Sequence, residues 1–276
     1  MIRIVGLFAI ACCLVASQLA RAEPAIPRLW DAKERLQKPD LSKLERLRFL
    51  TTTDFPPFNF LDASGRLSGF HIDLARAICA EVDLTDRCQI QALPWPDLEA
   101  ALAQAEGEAV IAGIAVTPEA RTQYLFSRPY LVFPARFIAL KSKLFDPLGA
   151  IPGARIGVLA RSQHEAMLRA DFESIQVITF DKLDWLTADL KAGKLDAAFG
   201  DGMRLSFWLA ERDAENCCRF AGGPYLSSRF LGNGMSIAVP RDRPELAAAF
   251  DYALQAMAAN GKFGEFYLRY FPVGFF

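Results

Sequence analysis

Leu47-Arg48-Phe49-Leu50-Thr51-Thr52-Thr53 is a short β-rich run, and the pattern that follows it decides the fold. Ile72 to Val82 sets Leu74, Ile78 and Val82 at helical spacing; Gln89 to Leu93 reads as a strand, Asp97 to Ala105 as a helix and Ala109 to Val116 as a buried strand. That order is βαβαβ, and it appears twice. The second series runs Arg155 to Leu159 strand, Gln163 to Ala170 helix, Gln176 to Phe180 strand, Asp184 to Ala192 helix closed by Gly193, Leu195 to Gly200 strand and Met203 to Arg212 helix. A duplicated α/β unit predicts two similar lobes, each a mixed, mostly parallel sheet flanked by helices, with ligand groups at the carboxyl ends of the strands. Extended runs at Ala135 to Lys141 and Gly234 to Pro240 supply a two-strand hinge, and the helical patterns Glu245 to Ala259 and Phe263 to Phe271 return the chain to the first lobe. The expected organisation is residues 47–135 with 235–276 as lobe 1, 141–233 as lobe 2, and crossings at 136–140 and 234–240.

Composition narrows the function classes. In 276 residues, 52% are hydrophobic and 23% charged, a balance that builds a core and argues against disorder. Lysine plus arginine number 31 against 32 acids, without the basic excess of a nucleic-acid partner. With 22 Phe, 4 Trp and 6 Tyr, the chain is instead rich in side chains that fill cores or line small-molecule clefts.

The amino terminus reads as an export signal over residues 1–22. Arg3 gives a positive start, Ile4 to Ala16 is apolar, and Ala20-Arg21-Ala22 is a small-x-small cleavage site. The apolar run is shorter than the roughly 20 residues that cross a bilayer, so the expected product is soluble and periplasmic. Residues 23–46 form a charged, Pro-flanked extension, expected as a surface helix or tether. Export makes the cysteines informative, since Cys12 and Cys13 leave with the signal and Cys79, Cys88, Cys217 and Cys218 remain. A short helix-to-strand loop brings Cys79 near Cys88, and a bridge is preferred there to free thiols. For the adjacent Cys217-Cys218 a vicinal disulfide, buried thiols and a metal site all stay open. Metal comes last, because His71 and His164 are the only histidines and neither has ligand spacing from the pair.

A search for catalytic motifs gives little. Gly200-Asp201-Gly202 lacks the third glycine of a phosphate loop, and there is no nucleophile elbow. His71, at a helix start, reads as a solvated residue rather than a base, and Ser162-Gln163 before His164 reads as a helix cap that also offers an anion-binding end. No catalytic residue, metal ligand or cofactor is assigned.

Several runs carry a resemblance. Thr53-Asp54-Phe55-Pro56-Pro57-Phe58-Asn59-Phe60 and Gly65 to Ala75 are similar to the opening signature of the family 3 extracellular solute-binding proteins, periplasmic receptors for polar amino acids. Ala112-Gly113-Ile114-Ala115-Val116-Thr117-Pro118-Glu119-Ala120-Arg121 and Phe126 to Tyr130 resemble that family's carboxylate-binding strand and crossover. Ile156 to Leu159 with Ser162, Gly193 to Asp201, and Asn260 to Phe263 with Tyr270-Phe271 resemble its later signatures, so the likeness covers Leu47 to Phe271. It implies a two-lobed periplasmic-binding-protein-like fold of type II. It also implies Phe55 and Trp95 around the ligand side chain, Gly113, Ala115 and Arg121 at the α-carboxylate, Ser162 and Gln163 beside them, and Asp201 on the α-ammonium. The Cys79 and Cys88 pair resembles a bridge of some basic-amino-acid receptors.

The sequence also departs from that pattern. The family's arginine stands one residue earlier, where this chain has Ala120; Ala115 replaces a serine, Arg161 replaces a glycine, and Thr52 takes the place of an acid found in lysine and arginine receptors. Arg161 is therefore a second candidate for the carboxylate, and a basic amino acid is not the first choice of ligand. The expected function is the monomeric periplasmic binding component of an ABC importer, with a small zwitterionic solute and a membrane permease as partners and no nucleic acid. Two alternatives share the fold: an enzyme resembling cyclohexadienyl dehydratase, and an accessory protein of a periplasmic redox system.

Overall fold

The computed structural model describes residues 29–31, 33–147, 149, 152–271 and 273–276. The expected leader, with Cys12 and Cys13, and residues 23–28 of the extension lie outside the described residues.

After β1 (Leu47–Thr51), a small sheet of β2 (Asp54–Phe55), β3 (Asn59–Leu61) and β4 (Leu67–Ser68) precedes α1 (Phe70–Glu81). Phe70, Leu74 and Ile78 recur every four residues along α1 and are all buried, which is why this stretch folds as a helix against the sheet. Next come β5 (Cys88–Ala92), α2 (Leu98–Ala103), β6 (Ala109–Val110), α3 (Ala120–Gln123) and β7 (Tyr124–Phe126). The second series is β8 (Ala135–Leu140), β9 (Arg155–Leu159), α4 (Gln163–Asp171), β10 (Gln176–Phe180), α5 (Leu183–Lys191), β11 (Ala197–Asp201), α6 (Gly202–Ala210), β12 (Cys218–Tyr225) and α7 (Ser228–Leu231). Strand β13 (Ala238–Pro240), α8 (Pro244–Asn260) and α9 (Lys262–Tyr270) complete the chain. Proline in the first turn starts α8 and Gly261, at φ 83°, ends it.

The two five-stranded sheets have the orders β5-β1-β6-β13-β7 and β10-β9-β11-β8-β12. In each, the first three strands are parallel, and the fourth is antiparallel to both its neighbours. That fourth strand has in each case just arrived from the other half of the chain. The duplication read from the sequence is thus a duplicated topology, and the mixed two-lobed α/β class is the one expected.

Two expected spans change. The run 136–140 is not a crossing but the body of β8, and only Gly234 to Ile237 of the second run precedes strand β13. The crossings meet earlier, where the Met235 amide donates to the Leu131 carbonyl at 2.7 Å and the Tyr130 amide to the Met235 carbonyl at 2.9 Å. Extended apolar runs have the same pattern whether they cross or pair, so periodicity does not separate the cases. Gly234 has φ 85°, and a Cβ there would stand 2.3 Å from the Leu131 carbonyl oxygen, so the two crossings approach this closely only with glycine. The expected strand Ala109 to Val116 is also shorter: the ladder covers Ala109–Val110, and Gly113, at φ 83°, turns the chain out of the sheet.

From residue 29 the extension is an irregular strap rather than a helix. Trp30 lies under the Arg128 guanidinium at 5.5 Å, Glu34 takes an Arg128 hydrogen bond at 2.7 Å, and the Leu36 amide donates to Gln255 of α8 at 3.0 Å. Tertiary partners replace the intrahelical bonds that a short isolated helix would have to supply.

At the joint between the lobes sits Arg136 of β8, 5% exposed. It donates at 3.0 Å to the carbonyls of Phe275, in the terminal segment, and Gly222, in β12, and its guanidinium lies 4.3 Å from the Phe220 ring centre. Phe207 of α6 joins the same region by packing on Phe271 at 6.1 Å.

Candidate functional site

The second sheet positions the site. Met167 and Leu168 of α4 pack on one face, while Leu186 and Leu190 of α5 and Leu205 of α6 pack on the other. Strands β9 and β11 are neighbours, and the helices that follow them leave on opposite faces. A crevice therefore opens at their carboxyl ends, where open α/β sheets hold ligands. It contains a cavity of about 160 Å³. Leu159, Leu183, Leu186, Phe199 and Leu205 form its walls, and Ser162, His164, Asp201 and Arg204 supply its polar groups.

Each polar group is held by local chemistry. Ser162 caps α4: its Oγ accepts from the Glu165 amide at 3.1 Å and donates to the Leu159 carbonyl at 2.7 Å, while Glu165 takes the Arg161 amide at 2.7 Å. Asp201 caps α6, its carboxylate accepting the Arg204 amide at 2.6 Å. His164 packs its ring edge-on to Phe199 at 6.3 Å. Burial pushes the His164 imidazole below its ordinary pKa, and the charge of Asp201 pulls it part of the way back. Arg204 is exposed at the rim.

The residues expected from the first lobe lie outside the lining of this cavity. Phe55 is half-buried against Phe58 at 4.8 Å, and a Cβ at Gly113 would lie 3.1 Å from its ring, so glycine gives that ring its room. Trp95 is 52% exposed, and Ala115 is exposed beside Met235, with which it forms a β-bridge. Gln163 is the exposed first residue of α4 and does not line the cavity.

The two arginines expected near a carboxylate lie outside the lining of this cavity. The Arg121 guanidinium lies 5.9 Å from the Phe126 ring centre on edge strand β7, and its carbonyl is bonded by Arg241. Arg161, at φ 58°, reaches Asp181 at 3.1 Å with 86% of its side chain exposed. Each is held by a partner in its own lobe, Arg121 by the Phe126 ring and Arg161 by Asp181 of the β10–α5 turn. His164, Arg204 and the leucine and Phe199 walls of the cavity were missed by sequence reasoning. The available signal was position, since His164 falls in the first turn of a helix that follows a strand end.

His71 is corrected as well. It is not solvated: hairpin β2–β3 covers the start of α1, with the His71 amide bonded to the Phe58 carbonyl at 2.8 Å. Asn59 donates to Thr52 Oγ1 at 2.7 Å, so its carbonyl oxygen accepts from His71 Nδ1 at 2.7 Å, and His71 Nε2 accepts from the Tyr130 hydroxyl at 2.7 Å. Burial pushes its pKa down to about 3.

Cys79 and Cys88 are joined, with Cα atoms 6.0 Å apart, tying the end of α1 to the start of β5. Cys217 and Cys218 are joined to each other, which selects the vicinal disulfide from the open readings. Cys218 pairs with Leu140, at the end of the second sheet remote from Asp201. Among the described residues no helix is long and apolar enough to cross a membrane.

Comparison with known proteins agrees with this architecture. The chain is 29% identical over 227 residues to a putative ABC transporter arginine-binding protein of Escherichia coli, covering 82% of this chain and 91% of the relative. An ancestral cyclohexadienyl dehydratase has the same fold, with a TM-score of 0.69 at 19% identity over 84% of this chain and 94% of that one. So does the L-cystine solute receptor of Neisseria gonorrhoeae, unliganded and open, with a TM-score of 0.69 at 18% identity over 83% of this chain and 94% of the receptor. The model of the bacterial extracellular solute-binding proteins, family 3, matches residues 47–273, and the chain belongs to that family.

Proposed function

We propose that this chain is the periplasmic binding component of an ABC importer, exported by residues 1–22, monomeric, and closing around a small zwitterionic solute such as an amino acid or a derivative of one. The observation that carries the reading is the cavity at the carboxyl ends of β9 and β11 with Asp201 at its rim. A carboxylate fixed by a helix cap is a preorganised acceptor for an ammonium group. Arg204 stands at the same rim and offers a fork for a carboxylate, in place of Arg121 of the first lobe and Arg161 of the second. Phe55, Trp95, Gly113 and Ala115 face the solute from the first lobe. The Escherichia coli relative, named for arginine and an ABC transporter, supports the importer.

Calorimetry with a panel of L-amino acids tests the reading. Saturable one-to-one binding is expected, and Asp201→Asn should weaken it by roughly 2–5 kcal/mol, because an ammonium would be left unpaired. Absence of binding by every member of the panel overturns it. His164, a titratable imidazole in the same cavity, favours a second reading as a dehydratase. The binding reading expects no turnover of prephenate, and product formation lost in His164→Gln would replace it.

A further inference from the structure

We infer that the Cys217–Cys218 bond is a thiol–disulfide exchange site, opened in the folded chain by a dithiol, whereas Cys79–Cys88 is a bond of structure alone. The two differ in what they enclose. Cys79 and Cys88 have a sequence separation of 9, so their bond closes a loop and restricts the unfolded chain. Cys217 and Cys218 are adjacent, and a bond between them closes no loop beyond its own peptide. Linkage makes the consequence reciprocal, since whatever a bond adds to the fold, the fold adds to that bond's resistance to reduction. The fold therefore holds Cys79–Cys88 closed and gives Cys217–Cys218 little of that protection.

The surroundings of the adjacent pair admit a reductant. A one-turn helix, Arg212–Ala214, is followed by Glu215 at φ 48° and Asn216 at φ 56°, two successive left-handed residues that are not glycine. This turn delivers the chain into β12, the last strand in the order of the second sheet. The Cys217 amide donates to the Ala214 carbonyl and the Lys141 amide to the Cys217 carbonyl, each at 2.8 Å, so the backbone of the pair is anchored whether or not its sulfurs are joined. Cys217 is half-buried and Cys218 is 5% exposed, which makes the Cys217 sulfur the more accessible. Lys141 bonds the Asn216 side chain, and Lys191 pairs with Glu215 at 3.3 Å, so ammonium groups border the turn that an incoming thiolate meets.

The exchange balances in two steps. A thiolate of the dithiol attacks Cys217 Sγ, the Cys217–Cys218 bond breaks, and its electron pair leaves on Cys218 Sγ, which takes a proton. The second thiolate then attacks the reductant's own sulfur in the mixed disulfide and releases Cys217, which is protonated in turn. Two electrons and two protons have passed to the pair, and the dithiol has become a disulfide. Cys218 stands opposite Leu140 and Asp201 opposite Ala135, at the two ends of β8 and about 17 Å apart along it, so the exchange proceeds apart from the solute cavity.

The test is graded reduction of the exported chain with dithiothreitol, followed by alkylation of free thiols and peptide mapping. Cys217 and Cys218 should become alkylated at a concentration at least about tenfold below that needed for Cys79 and Cys88. The chain reduced at the adjacent pair alone should melt within about 2 °C of the oxidised chain. Single variants locate the point of attack. Cys218→Ser, which leaves the Cys217 thiol, should react with an aromatic disulfide reagent at least about tenfold faster than Cys217→Ser, which leaves the Cys218 thiol. Earlier or simultaneous opening of Cys79–Cys88 overturns the inference. So does opening of Cys217–Cys218 only when the chain unfolds, or the presence of both thiols before any reductant is added.

Discussion

Position 71 holds an imidazole between two polar groups and away from water, and the sign of its effect on stability follows. Unfolded, it titrates near the ordinary 6.5; folded, burial holds it at about 3. Above 6.5 it is neutral in both states and its contribution is complete. As pH falls from there toward 3, the unfolded chain takes up a proton that the folded chain refuses, so stability drops by up to about 1.4 kcal/mol per pH unit. Urea denaturation at about pH 7 and about pH 5 measures this, and His71→Gln should flatten the difference. His71→Leu should be costlier at every pH, since Asn59 and Tyr130 would each lose a buried partner worth about 1–3 kcal/mol. None of this was legible in the sequence, where a histidine at a helix start reads as solvated. The hairpin that covers it is a tertiary fact, as is the ring of Phe126 that draws Arg121 to the edge strand.

Elements were more legible than side-chain directions. Gln176–Phe180 stands where β-branched and aromatic spacing put it, and α4 starts at Gln163 because Ser162 caps it. Strands failed where a glycine decided the outcome: an apolar run through Gly113 has no periodic sign that φ turns positive there. The candidate site divides in the same way. Asp201 was visible as a strand end followed by a helix, whereas Leu183 and Leu186 carry no sign of a site until the strand order places them beside it. At this scale the Cys79–Cys88 bridge makes a prediction. It closes a short loop between α1 and β5 at a sequence separation of 9, and Cys79→Ala with Cys88→Ala should lower stability by about 2–3 kcal/mol. Guanidinium denaturation of the double variant against the parent checks the size, and reduction of the parent should give a shift of the same sign.

On the scale of the whole molecule, two sheets of the same topology are joined by crossings that hydrogen-bond each other at Leu131 and Met235. Paired crossings favour rotation of one lobe against the other over independent sliding. Small-angle scattering should show a decrease in radius of gyration at saturating ligand, and an unchanged radius would argue for a rigid cleft. Two further contacts flank this joint, and they differ in kind. The strap is tied down at Arg128 by the carboxylates of Glu34 and Asp251, in a half-exposed ion pair. Arg136 is received by carbonyl oxygens and a ring face, buried from solvent. Mobile ions screen the first and scarcely reach the second. Ionic strength therefore separates them: rising salt loosens the strap while the joint between the lobes keeps its geometry.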